Sequence, residues 1–317
     1  MTPKEKYRRL CKEEKTIPIF SKDWWMDAVC GENNWDVLIV EKDEQIIASM
    51  PIYIKKKFGF KYITQPQLTQ MNGVYIKYPE SQKYEKKLSY EKEIMSEIIE
   101  QLKGLGVYYY QQNFHYSVKN WLPFYWEGFQ QTTRYTYVID DLGDLEQIYN
   151  NFAHSKRKNI NKSKKIIEVK FDLSSAEFYQ NHKMTLAKQN SQISYSYDLF
   201  KRIYDYSYER KSGKTIYAID KEGNLHSALF IIWDHNSAYD LISTIDPDYR
   251  NSGSADLLVY EAIKYIANST KKFDFEGSMI EGVENSFRKF GAVQKPYFTI
   301  SKAFKYKFLF NMYKNFR

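Results

Sequence analysis

The stretch Ile242-Ser-Thr-Ile-Asp-Pro-Asp-Tyr-Arg-Asn-Ser-Gly-Ser-Ala-Asp-Leu-Leu-Val-Tyr-Glu-Ala-Ile263 reads as a strand, a short loop and the opening of a helix. The loop carries Arg250-x-x-Gly253-x-Ala255 where the helix begins. A helix start offers unpaired backbone N–H groups and the positive end of the macrodipole. Small residues let that backbone approach an anion closely, so the spacing suits a pyrophosphate. Arg250 adds a fixed fork of donors. An ordinary Gly-Ser turn before a helix fits the same residues.

The flanking chain supplies context. Thr215–Asp220, Leu225–Trp233 and Ala238–Ile245 read as strands, with turns at Lys221-Glu-Gly-Asn224 and His235-Asn236, so the three form a meander. A helix over Asp256–Ala267, a strand over Lys272–Glu276, a helix over Gly282–Phe290 and a strand over Tyr297–Ser301 complete the pattern.

The 317 residues suit two domains, and 43% hydrophobic content supports real cores. No apolar run approaches the ~18–20 residues of a membrane span. The opening Met1-Thr-Pro-Lys-Glu-Lys-Tyr-Arg-Arg lacks a signal peptide's apolar region. Cys11 and Cys30 make no disulfide framework. These features predict a reduced, cytoplasmic protein. The net charge of +8 favours anionic partners, although Lys, Asn, Ile and Tyr abound together, as an AT-rich genome produces.

The chain repeats itself. Ser21-Lys-Asp23-Trp-Trp25 resembles Ser196-Tyr-Asp198-Leu-Phe200, and both read as N-capped helices. Glu41–Ile52 matches Asp220–Ile231, Thr64-Gln-Pro66 falls where Thr244–Pro247 falls, and Phe124–Phe129 with the strand Arg134–Ile139 echoes Phe287–Ala292 with Tyr297–Ser301. The matches keep their order at offsets of roughly 163–181 residues. The pattern predicts two copies of one α/β domain, 1–140 and 141–317. The first copy's loop, Gln65–Tyr75, has no Arg-x-x-Gly-x-Ala. It contacts an acceptor or is simply structural.

Between the copies, Asp144-Leu-Glu-Gln147 starts a helix that runs into Ala153–Ile167. Lys156, Arg157, Lys158, Lys162, Lys164 and Lys165 make it densely cationic. Ala153, Ile160 and Ile167 form a thin apolar stripe, and Arg157 shares its side. The block is a solvated face, a nucleic-acid contact without interleaved aromatics, or a clamp for a phosphate-bearing acceptor.

The Arg250–Ala255 loop resembles the pyrophosphate loop of Gcn5-related N-acetyltransferases (GNATs). With the tandem organisation, the Lys156-Arg-Lys-Asn-Ile-x-Lys-Ser-x-Lys165 helix and Phe273–Ala292, the chain resembles the FemABX-like superfamily from Ile17 to Lys302. The resemblance implies tandem GNAT-like α/β (α+β) domains, each a mixed sheet flanked by helices, in a bacterial acyltransferase. Fem enzymes add amino acids from aminoacyl-tRNA to a cell-wall precursor whose phosphates the interdomain helix holds; Arg157 or Lys158 matches that position. Their lysine beside a Phe-Gly has Arg288 and Lys289 as nearest matches. The chain lacks the helical-hairpin insertion of some tRNA-dependent members and has the Arg250 loop, which favours acetyl-CoA or another acyl-CoA as donor.

On this reading Ser243, Thr244, Ile245, Arg250, Asn251, Ser252, Gly253, Ser254 and Ala255 hold the cofactor, and Arg157, Lys158, Arg288 and Lys289 hold substrate. Glu276 is the first choice for base, ahead of Glu281, Asp240 and His226; Tyr297 or Tyr260 is the acid. His115, His154, His182, His226 and His235 show no metal-ligand spacing, so no metal is expected. The acceptor is an amine on a sugar or peptide of envelope material. Alternatives are an aminoacyl-tRNA-dependent transferase and a non-catalytic module for anionic ligands. The aromatic, basic tail Ala303–Arg317 suits a peripheral contact with the cytoplasmic membrane face or a helix packed on its own domain.

Overall fold

The structure is a computed structural model that describes residues 1–57 and 59–305. The tail is therefore outside the described residues from 306 onward. The chain forms two compact units, Met1–Arg134 with Pro296–Arg317, and Tyr135–Lys295.

The first unit begins with α1 (Pro3–Glu13) and α2 (Asp23–Cys30), then β1 (Trp35–Lys42), β2 (Gln45–Lys57), β3 (Phe60–Ile63) and β4 (Tyr75–Ile76). Next come α3 (Tyr84–Gly104), β5 (Tyr109–Asn113), α4 (Leu122–Trp126) and β6 (Gln130–Ile139). The second unit contains α5 (Leu145–Asn151), α6 (His154–Ser163), β7 (Glu168–Phe171), α7 (Ser175–Ala187) and α8 (Tyr197–Glu209). It continues with β8 (Gly213–Ile219), β9 (Leu225–Trp233), β10 (Ala238–Ile245), α9 (Ser254–Ile266), β11 (Phe273–Asp274), α10 (Glu281–Arg288) and β12 (Val293–Ala303). The chain leaves the first unit within β6 and re-enters it within β12. The last strand thus pairs in the first unit, whereas the sequence pattern predicts it in the second.

Each unit is a mixed sheet flanked by helices. The first has the order β1-β2-β3-β5-β12, with β4 on β2. The second has β6-β11-β10-β9-β8-β7. Both contain an antiparallel meander and then one short parallel pairing: Tyr62↔Tyr109 and Ile63↔Tyr110 in the first, Ala238↔Phe273 and Tyr239↔Asp274 in the second. The repeat seen in the sequence is thus a repeat of strand topology.

Apolar spacing explains the packing. On α3, Ile94, Met95, Ile98, Ile99 and Leu102 recur every three or four residues and are buried on the sheet. In β9, Leu229 and Ile231 share a core with α9, while the intervening Phe230 meets Phe178 of α7 and Phe200 of α8 on the opposite face. A strand covered on both faces reads as a continuous apolar run, which is why Ala228–Trp233 stands out in the sequence. No helix among the described residues is long and apolar enough to cross a membrane.

Three local expectations change. Ser21 does not cap α2; it ends a buried 3-10 turn, and α2 starts at Asp23 with Lys22 at its N-cap and no side-chain cap. Ser196 does cap α8, through Leu199 N–H. The helix opened by Asp144 stops at Asn151, because Phe152 turns extended into the core beside Phe290, and Ala153 N–H donates to Lys289 O at 2.8 Å. The cationic helix is therefore the separate α6, whose buried residues are Lys156, Ile160 and Ser163. Arg157 sits at the edge of that face, donating to Asn150 O at 2.6 Å.

Lys156 is the surprising member. Its ammonium lies 2.7 Å from Asp256, 2.8 Å from Ser286 Oγ and 4.2 Å from the Phe290 ring centre. Removing one partner of a buried pair strands the other charge. Lys156→Ala is expected to lower unfolding stability by about 3 kcal/mol, whereas Lys158→Ala, at an exposed position, stays within about 0.5 kcal/mol. Urea denaturation of both variants checks this.

Candidate active site

β10 and β11 run parallel for only two residue pairs and then part. Phe275 N–H turns to Tyr137 O of β6, at 2.9 Å. The next residue, Glu276, is in the left-handed region at φ +57, and Gly277 comes after it at φ +61. A Cβ on Gly277 would stand 2.1 Å from Tyr135 O, so only glycine fits there. The backbone is forced to swing Glu276 out of the strand path, and such strain at a non-glycine residue is a mark of functional sites.

Three carboxylates meet at this point, from Asp240 of β10, Asp274 of β11 and Glu276. Thr136 Oγ1 donates to Asp274 Oδ1, which also accepts Glu276 N–H at 2.8 Å. Ser243 Oγ donates to Asp240 Oδ1 at 2.6 Å. Glu276 is half-buried as a residue, but its Oε1 is sealed from solvent and meets no hydrogen-bond partner among the described residues. Burial, then the charges of Asp274 and Asp240, hold its carboxyl well above the usual carboxylate range. Burial pushes Asp240 from 3.8 to about 6, against the lowering effect of the Ser243 hydroxyl. Among the described residues no group of His, Cys, Asp or Glu is arranged to hold a metal ion.

A second feature lies on α6. A cleft of about 680 Å³ is lined by Tyr149, Asn150, His154, Arg157, Lys158, Asn161, Lys162 and Lys165. Residues 154, 157, 158, 161, 162 and 165 recur at helical spacing, so the cleft runs along the outer face of α6 and the turn after it. Sequence reading points to Arg157 and Lys158; extending their three-and-four spacing would also find His154, Asn161, Lys162 and Lys165. Arg288 is exposed and pairs with Glu284 at 3.8 Å, outside this cleft. Lys289 contributes its backbone carbonyl to Ala153.

The Arg250–Ala255 loop is placed differently from expectation. Ser252 and Ser254 are 8% and 1% exposed, and Gly253, at φ +80, faces α6. A Cβ on Gly253 would stand 2.7 Å from Asn159 O. The close approach that glycine permits is used by a neighbouring helix. In the first turn of α9, Asp256 accepts from Lys156 and from Asn159 Nδ2, so a carboxylate already sits at the helix's positive end. These residues do not fit a pyrophosphate at Ser252–Ser254. Arg250 and Asn251 are exposed, and Asn251 O accepts from Lys162 at 2.6 Å. Thr244 is tied to Thr185 at 2.6 Å, and Ile245 ends β10. His226 is bound to Asp220 at 3.0 Å and stacked on Tyr249, away from the acid-base roles considered for it. Tyr260 lies against Tyr149, 5.0 Å between ring centres at a tilt of 48°. Tyr297 is buried on β12 in the first unit.

No protein-family model and no curated protein matches the sequence. Solved structures do match in fold. The crystal structure of FemX aligns with a TM-score of 0.70 over 94% of this chain and 96% of that one, at 10% identity. The fold is FemX-like. L-PGS from Bacillus licheniformis aligns at 0.58 over 97% and 94%, at 10% identity. A tandem GNAT protein from the clavulanic acid biosynthesis pathway aligns at 0.53 over 94% and 94%, at 7% identity. The expected tandem GNAT-like architecture is thus the observed one.

The raised carboxyls carry a stability signature. In the native state Asp240 holds its proton up to about pH 6, whereas the unfolded chain loses it near 3.8, so native stability falls as pH rises between those values. Glu276 extends the fall to higher pH. Asp240→Asn removes the penalty and is expected to raise stability at pH 8 by on the order of 2 kcal/mol, with little change near pH 3.5. Thermal unfolding across pH reads the difference. Equal shifts at both ends would refute the cause assigned.

Proposed function

We propose that the second unit transfers an acyl group onto an amine of a phosphate-bearing acceptor, with Glu276 as the base. The observation that carries this is the conformation of Glu276: held left-handed where β10 and β11 part, one carboxylate oxygen sealed and unpartnered, beside Asp240 and Asp274. A carboxylate whose proton affinity is raised by burial and like charge is a stronger base once ionised. The amine nitrogen attacks the acyl carbonyl, Glu276 takes the proton released from nitrogen, and the leaving oxygen or sulfur departs with the electron pair. Beyond Tyr239 no strand pairing of that edge of β10 is seen among the described residues, and its backbone N–H groups are the donors we assign to polarise the carbonyl. Cations on α6 supply the phosphate contact, with Arg157 and Lys158 as its core.

The donor we assign is an aminoacyl-tRNA. The packing of Gly253 on Asn159 disfavours acyl-CoA at the Arg250 loop, one of the two points on which the donor classes suggested by the family resemblance differ; the other, the helical-hairpin insertion, is used by only some tRNA-dependent members. The acceptor we favour is envelope material handled on the cytoplasmic side.

The test uses purified protein, an amine acceptor bearing a phosphate, and two donors, charged tRNA and acetyl-CoA. Glu276→Gln is expected to lower kcat about 100-fold or more with an unchanged or raised Tm. Arg157→Ala with Lys158→Ala is expected to raise KM for the acceptor about tenfold and leave kcat nearly intact. An acetyl-CoA-dependent rise in Tm that Arg250→Ala removes would overturn the donor assignment. Full activity in Glu276→Gln would overturn the site.

A further inference from the structure

We infer that the α3–α4 face of the first unit is a docking surface for an anionic lipid membrane. Sixteen large hydrophobic side chains are exposed among the described residues, and six belong to this one region: Tyr78, Tyr84, Leu88, Leu122, Tyr125 and Trp126. Tyr84 is 74% exposed, Tyr125 and Trp126 are each 58%, and Leu122 is 48%. Scattered exposed hydrophobics need no explanation, but a contiguous group does.

Helix spacing and two lysine–ring contacts link members of the group. Tyr84 and Leu88 are one turn apart on α3, and Lys92 lies one turn later on the same side. The Lys92 ammonium lies 5.3 Å from the Trp126 ring centre on α4. The Lys87 ammonium lies 4.4 Å from the Tyr78 ring centre. On α4, Pro123 and Phe124 are buried while Leu122, Tyr125 and Trp126 are exposed, so that short helix turns one apolar side to the core and another to solvent.

Composition selects the occupant. Aromatic rings with a polar edge, leucines, and lysines whose ammonium groups lie beside the rings are what the boundary between lipid headgroups and acyl chains accommodates. Apart from buried Glu91, the ionic residues from Lys83 to Glu93 are four lysines and two glutamates, an excess that attracts an anionic leaflet.

The experiment is co-sedimentation of the full chain with vesicles of phosphatidylcholine alone and of phosphatidylcholine with phosphatidylglycerol. The wild type is expected to bind the second and not the first, and to release as salt rises. A triple variant, Leu122→Ser with Tyr125→Ser and Trp126→Ser, is expected to lose binding about tenfold or more with an unchanged Tm. Lys87→Glu with Lys92→Glu is expected to weaken binding and flatten its salt dependence. Unchanged vesicle binding by the triple variant would overturn the inference. So would failure of the wild type to bind, including the case where it forms a concentration-dependent dimer that the triple variant abolishes.

Discussion

The seat of α6 on the N-terminus of α9 fixes most of what the second unit can do. Gly253 brings the two backbones together at a distance no side chain would tolerate. Lys156 and Asn159 then hold Asp256 at the start of α9. The positive end of the helix is answered by Asp256, Asp256 by Lys156, and Lys156 also rests on the face of Phe290. With Lys156, Ile160 and Ser163 turned inward, geometry leaves Arg157, Lys158, Lys162 and Lys165 to line one outer cleft. One contact therefore removes a phosphate site from the loop and creates a cationic surface on the helix that displaced it.

The two units carry the same parallel two-residue pairing but diverge immediately beyond it. Gln112 stands two residues beyond Tyr110, as Glu276 stands two beyond Asp274. Gln112 is fully buried and donates to Pro51 O at 2.6 Å and to Asn72 Oδ1 at 3.1 Å. Asn113 O accepts from both Asn72 and Gly73, and Asn113 Nδ2 donates to Gln70 O at 2.8 Å. Gly73 is pressed against the Phe114 ring so closely that a Cβ would overlap it. In the first unit, then, the loop after the third strand fills the opening with satisfied amides and an aromatic ring. The Gln65–Tyr75 loop has its structural reading in this packing, and an amide where the second unit has a carboxylate cannot take a proton.

Much of the second unit is legible in the sequence because its signals are local. Leu225–Trp233 and Ala238–Ile245 are bounded by turn residues and read directly as β9 and β10. Glu276 and Asp240 stand out as acids in or next to short runs of apolar strand residues. The features that escape the sequence depend on distant partners. The break at Phe152–Ala153 is made by Lys289 and Phe290, far along the chain. No periodicity says which sheet a terminal strand joins, so the pattern puts β12 and Tyr297 in the wrong neighbourhood. The Arg250 loop has the right residues for a phosphate, but small residues before a helix serve helix-helix approach equally well, and only tertiary packing separates the two. Lys156 stands three residues after Ala153 and four before Ile160, on the apolar stripe itself, so the spacing already points it inward; assigning that side to Arg157 is one residue off.

The contrast between Gln112 and Glu276 bears on why the carboxylate cluster is there at all. Stability alone favours the first arrangement: at Gln112 a neutral amide with its hydrogen bonds made and no left-handed backbone. The second has a buried acid without a hydrogen-bond partner on one oxygen, two more carboxylates nearby, and left-handed backbone at a residue with a side chain. Each of these costs free energy, and an amide would relieve the electrostatic part. The same chain holds both solutions at matching positions of a repeated topology, so the fold does not impose the costly one. A surrounding structure that over-determines the strain, through Gly277 against Tyr135 and Thr136 and through the bonds to Asp274, is the arrangement expected where proton affinity rather than stability is the property retained.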